Sequence, residues 1–127
     1  MTDAKSPWSY DSSNIFARIL RGEIPNKTVI ETENTLVFHD LYPQAPVHVL
    51  VIPKGAYVDF AHFAAEASEA EIVDFHRVAA QVCAELGLNA GGYRGITNSG
   101  AHGHQEVPHY HLHLLGGRAL GPLLSKG

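Results

Sequence analysis

His109-Tyr110-His111-Leu112-His113-Leu114-Leu115-Gly116-Gly117-Arg118 decides the fold, because residue kind alternates at every step from 109 to 114. In a strand, side chains two apart share a face. One face therefore carries three imidazoles, and the other buries Tyr110, Leu112 and Leu114. Neighbouring histidines stand roughly 7 Å apart along such a strand, so one ring can attack a ligand while the others hold it. A helix would scatter the same positions around its circumference. The spacing predicts an active site on the histidine face of a strand.

Working backward, Asn98-Ser99-Gly100-Ala101-His102-Gly103-His104 reads as a glycine-rich connection whose backbone amides can approach a ligand closely. Tyr93 to Thr97 reads as a strand. Before it, Ser68 and Glu71 form an S-x-x-E capping box. Ile72, Phe75, Ala79, Val82, Cys83 and Leu86 then fall on one side at helical spacing, and Gly87 stops the helix. Cys83 on that stripe is a packing residue. Val58 to Ala65 allows a brief helical turn. Val47 to Ile52 is a β-branched strand, preceded by a loop that Pro43 and Pro46 enforce. Val29–Glu31 and Thr35–His39 read as two strands joined by a polar turn. Asp11 to Asn14 can cap a short helix, Ile15 to Arg21, closed by Gly22, and Ile15, Phe16 and Ile19 form one apolar stripe at helical spacing that reads as core packing. The order of elements predicts an α+β fold: an antiparallel sheet with one long and one short helix.

The length of 127 residues fits one domain, and 45% hydrophobic content supplies a core. Residues 1–10 are expected to form a flexible segment, and 11–127 a single domain with a C-terminal tail. A net charge of −4 argues against general attraction to nucleic acid, though a local phosphate pocket built from histidines remains open. The single cysteine excludes an intramolecular disulfide and a cysteine-based zinc site. Neither a signal-peptide segment nor a membrane span is evident, so a cytoplasmic protein is expected.

Three readings compete for the histidines. A structural role suits one strand histidine but not three, since burying a cluster requires partners for every nitrogen. H-x-H on a strand can also place two imidazoles on a metal, with His48 or His104 as a third ligand. No carboxylate follows to complete a mixed site, because Leu115-Gly116-Gly117 stand there. Alternatively, a neutral imidazole attacks phosphorus while its neighbours stabilise charge. Spacing alone leaves metal and non-metal chemistry level.

His109-x-His111-x-His113 followed by Leu114-Leu115 is similar to the H-x-H-x-H-φ-φ signature of the histidine triad (HIT) family, φ being apolar. The resemblance extends over Ile15-Phe16, Glu23-Ile24-Pro25, Phe38-His39-Asp40, Pro43 to His48, Val51 to Lys54, Asn98 and Gly116-Gly117-Arg118, which look like the family's Hint branch. Gln105-Glu106 and the ending Gly117 to Leu124 look most like its bacterial members.

The resemblance implies hydrolysis of purine nucleoside phosphoramidates, releasing AMP or GMP and an amine, without a cofactor or a catalytic metal. A dinucleoside polyphosphate hydrolase and a nucleotide-binding regulatory protein are the alternatives. His111 would be the nucleophile, forming a nucleotidyl-histidine. His109 and His113 would orient it or contact phosphate, and His48 would join the cluster. Asp40 would accept hydrogen bonds from the ribose hydroxyls. Ile15, Phe16, Ile19, Phe38, His39 and Leu41 would hold the base, and Asn98 with the Gln105 and Glu106 backbone would cradle phosphate. A homodimer with one continuous sheet is implied, the tail from Ala119 to Lys126 reaching toward the partner's site. The sequence departs from the pattern in carrying Glu106 where many relatives have serine and Pro108 where an aromatic residue is common. Asn14-Ile15-Phe16-Ala17 replaces the zinc-binding C-x-x-C of some relatives, so no structural zinc is expected.

Overall fold

The computed structural model describes residues 6–125; the first five residues of the expected flexible segment, and Lys126 of the tail, lie outside it. Five strands form one antiparallel sheet in the order β1-β2-β3-β5-β4: β1 (Thr28–Glu31), β2 (Thr35–His39), β3 (Val47–Pro53), β4 (Tyr93–Ile96) and β5 (Leu112–Gly116). The helices are α1 (Ile15–Leu20), α2 (Phe60–Glu66), α3 (Glu69–Glu85) and α4 (Leu88–Gly91). The α+β architecture and antiparallel sheet agree with the sequence reading; α2 falls on the brief helical turn expected over Val58 to Ala65, and α4 is a short addition.

Alternation along β2 and β3 sorts the apolar residues into two cores. Val37, Val49 and Val51 face α3 and pack with Phe75, Val78, Val82, Cys83, Tyr110 and Leu114. Leu36, Phe38, Leu50 and Ile52 face the other way, against Phe16 and Ile19 of α1. The capping box forms as read: Ser68 Oγ accepts from the Glu71 amide at 3.1 Å, and the Glu71 carboxylate accepts from the Ser68 amide at 3.0 Å. Within the stripe of α3, Ile72, Ala79 and Leu86 sit at the core margin, and Val78 joins the fully buried set. The α1 stripe differs more from expectation. Phe16 and Ile19 are buried, but Ile15 is 42% exposed, and Ala17 takes the inward position.

Tyr110, Leu112 and Leu114 do turn toward the α3 core while the histidines turn away. Ladder pairing, however, begins only at Leu112, so His109 and His111 precede β5 rather than lie within it. Gly117 ends the segment with φ 92°, where a Cβ would stand 2.8 Å from the Pro46 ring.

Candidate active site

β3 and β5 bring two histidines together through register. His48 lies opposite Leu115 and Leu50 opposite His113, so His48 and His113 are diagonal neighbours on the α1 face. Their rings meet: His48 Nε2 and His113 Nδ1 are 2.9 Å apart. The Gln44 amide donates to His48 Nδ1 at 3.1 Å, which leaves the His48 proton on Nε2. His48 therefore donates to His113 Nδ1, and the neutral His113 ring carries its own proton on Nε2.

The same reasoning fixes the other two rings. His111 Nδ1 lies 2.6 Å from the His109 carbonyl, and a carbonyl only accepts, so Nδ1 is protonated and Nε2 keeps a free lone pair. Thr97 Oγ1 donates to the His111 carbonyl at 2.9 Å and anchors this backbone. His109 Nε2 donates to the Pro53 carbonyl at 2.8 Å, while its Nδ1 lies 2.6 Å from the Tyr10 hydroxyl. Among the described residues, no buried side-chain nitrogen or oxygen lacks a partner.

Burial holds all four rings toward neutrality. It lowers His111 and His48 below the usual imidazole value, with the Asp40 carboxylate pulling the other way in each case. His109 is pushed down to about 4, chiefly by desolvation. His113 is also at about 4, through burial and then the charges that His111 and His48 would carry.

A cavity of about 220 Å³ opens beside these rings, lined by residues that include Phe16, Asp40, Asn98, Glu106, His111 and His113. Phe16 meets the His111 ring edge-on at 4.9 Å. Of the residues expected to hold a base, Phe16 lines this cavity, whereas Ile19 and Phe38 pack beneath it. His39 and Leu41 line an adjoining cleft with Asp40 and His48, and Ile15 belongs to neither lining. His109 is fully enclosed rather than lining the cavity. The strand alternation expected to present three imidazoles to ligand therefore presents two.

Asp40 spans the cavity and the cleft. One carboxylate oxygen accepts from the Tyr42 amide at 2.8 Å, and the other lies 3.4 Å from His48 Nε2. Asp40, His48 and His113 have one ligand-type atom each within 4.8 Å of one another. Between His48 and His113 those atoms already share a proton, which a cation would have to displace.

Gln105 works through its side chain as well as its backbone. Its amide nitrogen donates to the Val58 carbonyl at 2.6 Å, and its oxygen accepts from the Gly100 amide at 3.0 Å, closing the 98–106 loop. Gly103 is crowded there, since a Cβ would lie 2.5 Å from the Ser99 carbonyl oxygen. Glu106 is exposed at the rim and pairs with His104 at 3.0 Å. Sequence reasoning assigned no role to Gln44, Thr97, Pro53 or Tyr10. Three of these act on the histidines through backbone groups, at one end or the other, which leave no trace in residue type.

Residues 21–120 match the HIT domain model, and the chain belongs to the HIT family. It is 56% identical to an uncharacterised 13.2 kDa HIT-like protein of Azospirillum brasilense, over 94% of this chain and 98% of that one. It is 42% identical to the purine nucleoside phosphoramidase of Escherichia coli K12, over 87% of this chain and 92% of the relative. The crystal structure of a HIT family hydrolase from Legionella pneumophila superposes with a TM-score of 0.78 at 40% identity, covering 85% and 96% of the two chains.

Proposed function

We propose that this protein hydrolyses purine nucleoside phosphoramidates at the P–N bond by way of a nucleotidyl-histidine on His111. The observation that carries the reading is the bare Nε2 of His111, facing a cavity while its Nδ1–H is tied to the His109 carbonyl. Attack by Nε2 forms the P–Nε2 bond as the P–N bond breaks. The amine leaves, taking a proton from solvent at the cavity mouth. The phosphorylated ring becomes cationic, and the His109 carbonyl accepting from Nδ1–H stabilises that charge. His113 Nε2–H donates to a non-bridging oxygen. Water then attacks phosphorus, the P–Nε2 bond breaks, and nucleoside monophosphate departs with a proton released to solvent.

Asp40 receives the ribose hydroxyls, Phe16 with the residues beneath and beside it takes the base, and Asn98 with the Gln105–Glu106 backbone takes phosphate. The lining favours an amine over a polyphosphate leaving group. It contains the carboxylates of Asp40 and Glu106 and neither lysine nor arginine, so a long polyanion would meet like charge. The phosphoramidase name of the Escherichia coli relative points the same way.

A homodimer belongs to this reading. β4 is an edge strand, and Arg94 on it holds the tail through the carbonyls of Gly121 and Pro122, next to the exposed Leu123 and Leu124. That arrangement offers strand edge and apolar surface to a second copy.

Intact mass after brief mixing with an adenosine phosphoramidate should show a nucleotidyl adduct on the parent. His111→Ala should show none, with turnover lower by at least about a thousandfold and AMP still bound. Near-parental turnover by His111→Ala would refute the nucleophile. A native mass of one chain at assay concentration would refute the dimer.

A further inference from the structure

Tyr10 reaches the first histidine of the triad from outside the residues that match the family model. It belongs to the segment ahead of α1, yet the structure seats it from both sides. On one side Trp8 stacks on His62, with ring centres 4.9 Å apart and planes inclined by 8°. On the other, Asn14 caps α1 through the Ala17 amide and donates to the Asp11 carbonyl from its own side chain. Between these anchors the Tyr10 hydroxyl approaches His109 Nδ1 to 2.6 Å, its ring meeting the imidazole edge-on at 5.6 Å.

The direction of this hydrogen bond is decided by the opposite side of the imidazole. His109 Nε2 faces a carbonyl, Pro53, and must supply the proton. In a neutral ring Nδ1 is then bare, and the site around it excludes water, since His109 has no exposed surface. A buried acceptor without a donor is costly. Tyr10 is the donor. Burial raises its hydroxyl above the ordinary phenol value, so the proton stays on oxygen at neutral pH.

We propose that Tyr10 is a positioning residue for His111. Its hydroxyl holds His109 in the tautomer protonated on Nε2, and so holds the His109 carbonyl that receives His111 Nδ1–H. The inference rests on His111 being the nucleophile. With hydroxyl and Pro53 carbonyl engaged at opposite edges, the His109 ring can neither flip nor change tautomer without breaking a buried bond. The same residue's carbonyl lies 2.6 Å from His111 Nδ1, so any shift of this backbone redirects the attacking lone pair. Tyr10 does not line the cavity. Its loss therefore acts on turnover and not on nucleotide affinity.

The test is Tyr10→Phe, which keeps the ring and deletes the donor, beside Trp8→Ala, which loosens the same segment without touching His109. Long-range proton–nitrogen spectra of protein with 15N-labelled histidine read the His109 tautomer directly. The parent should carry its proton on Nε2 with a hydrogen-bonded Nδ1, and Tyr10→Phe should move that Nδ1 resonance. For an adenosine phosphoramidate, kcat of Tyr10→Phe should fall about tenfold with the AMP dissociation constant unchanged. Trp8→Ala, in which the Asn14 side still holds the segment, should keep near-parental kcat and the parental His109 signals.

A parent ring protonated on Nδ1 would overturn the proposal. So would a Tyr10→Phe protein with unmoved Nδ1 resonance and parental kcat, or a Trp8→Ala protein equally impaired while its His109 Nδ1 resonance stays parental, which would show docking of the segment as the whole effect. If the parent cleaves no phosphoramidate, the function read for His111 fails, and with it the role assigned to Tyr10. The ring spectra would still show whether Tyr10 sets the His109 tautomer.

Discussion

On the α3 side of the sheet, Phe63, Phe75 and Tyr110 lie with ring centres 5.1 Å apart in every pairing, among valines that are wholly enclosed. On the α1 side, Phe16 touches Phe38 below it and the His111 ring beside it, and that smaller core opens into the cavity. Adjacent residues of the same backbone, Tyr110 and His111, serve the two sides. One side is close-packed and apolar, while the other leaves polar nitrogens in a half-closed space. Stability is concentrated against α3, and chemistry against α1. The α1 side accepts the cost of buried imidazoles because each nitrogen facing protein is matched to a donor or acceptor.

The comparison breaks most visibly if the α3 side is hollowed out. Phe75→Ala removes a fully buried ring and should cost about 3–5 kcal/mol in a denaturant titration. Turnover per folded molecule, measured well below the transition, should stay close to the parent's. An unchanged midpoint, or turnover lost in step with stability at low temperature, would show that the two sides are not separate.

Acid probes the other side. His109 and His113 are lowered to about 4 in the folded protein, whereas in the unfolded chain they titrate near the ordinary 6.5. Between those values the unfolded state binds more protons, so stability is full above about 6.5 and falls as pH drops toward 4. The enclosed His109 sets a slope of up to about 1.4 kcal/mol per pH unit, and the partly exposed His113 adds less. The acid limb of kcat should lie below the ordinary imidazole value, because His111 must be neutral to attack and burial lowers it too. Melting temperatures that rise on acidification, or an acid limb above pH 6.5, would contradict this account.

The smallest effect expected is at the capping box. Ser68→Ala deletes the acceptor for the Glu71 amide at the start of α3 and should cost about 1 kcal/mol, read as a shift in the unfolding midpoint with m unchanged. An effect as large as that of Phe75→Ala would mean that the cap, not the packed face, holds α3 in place.

Much of this division is visible in the order of residues. Alternation from 109 to 114 separates an imidazole face from an apolar one, and the stripe from Ile72 to Leu86 with its S-x-x-E start defines α3. β2 falls on the predicted residues Thr35–His39. The reading of Ile15 as inward-facing fails because a six-residue helix resting on a sheet buries only a narrow strip, and Ala17 fits that strip. α4, four residues long, has too few positions to show a period.

What the sequence determined by itself is therefore periodicity and residue chemistry: the α+β class, the buried face of α3, and a set of histidines whose arrangement resembles one family. The tertiary structure decided which nitrogen of each histidine holds the proton. That depends on the amide of Gln44, the carbonyls of Pro53 and His109, and the hydroxyl of Tyr10. Backbone donors and acceptors are the same at nearly every residue, and Tyr10 stands 99 positions from its partner. Only folding brings such groups within hydrogen-bonding distance, and only then does one imidazole among nine become distinct from the rest.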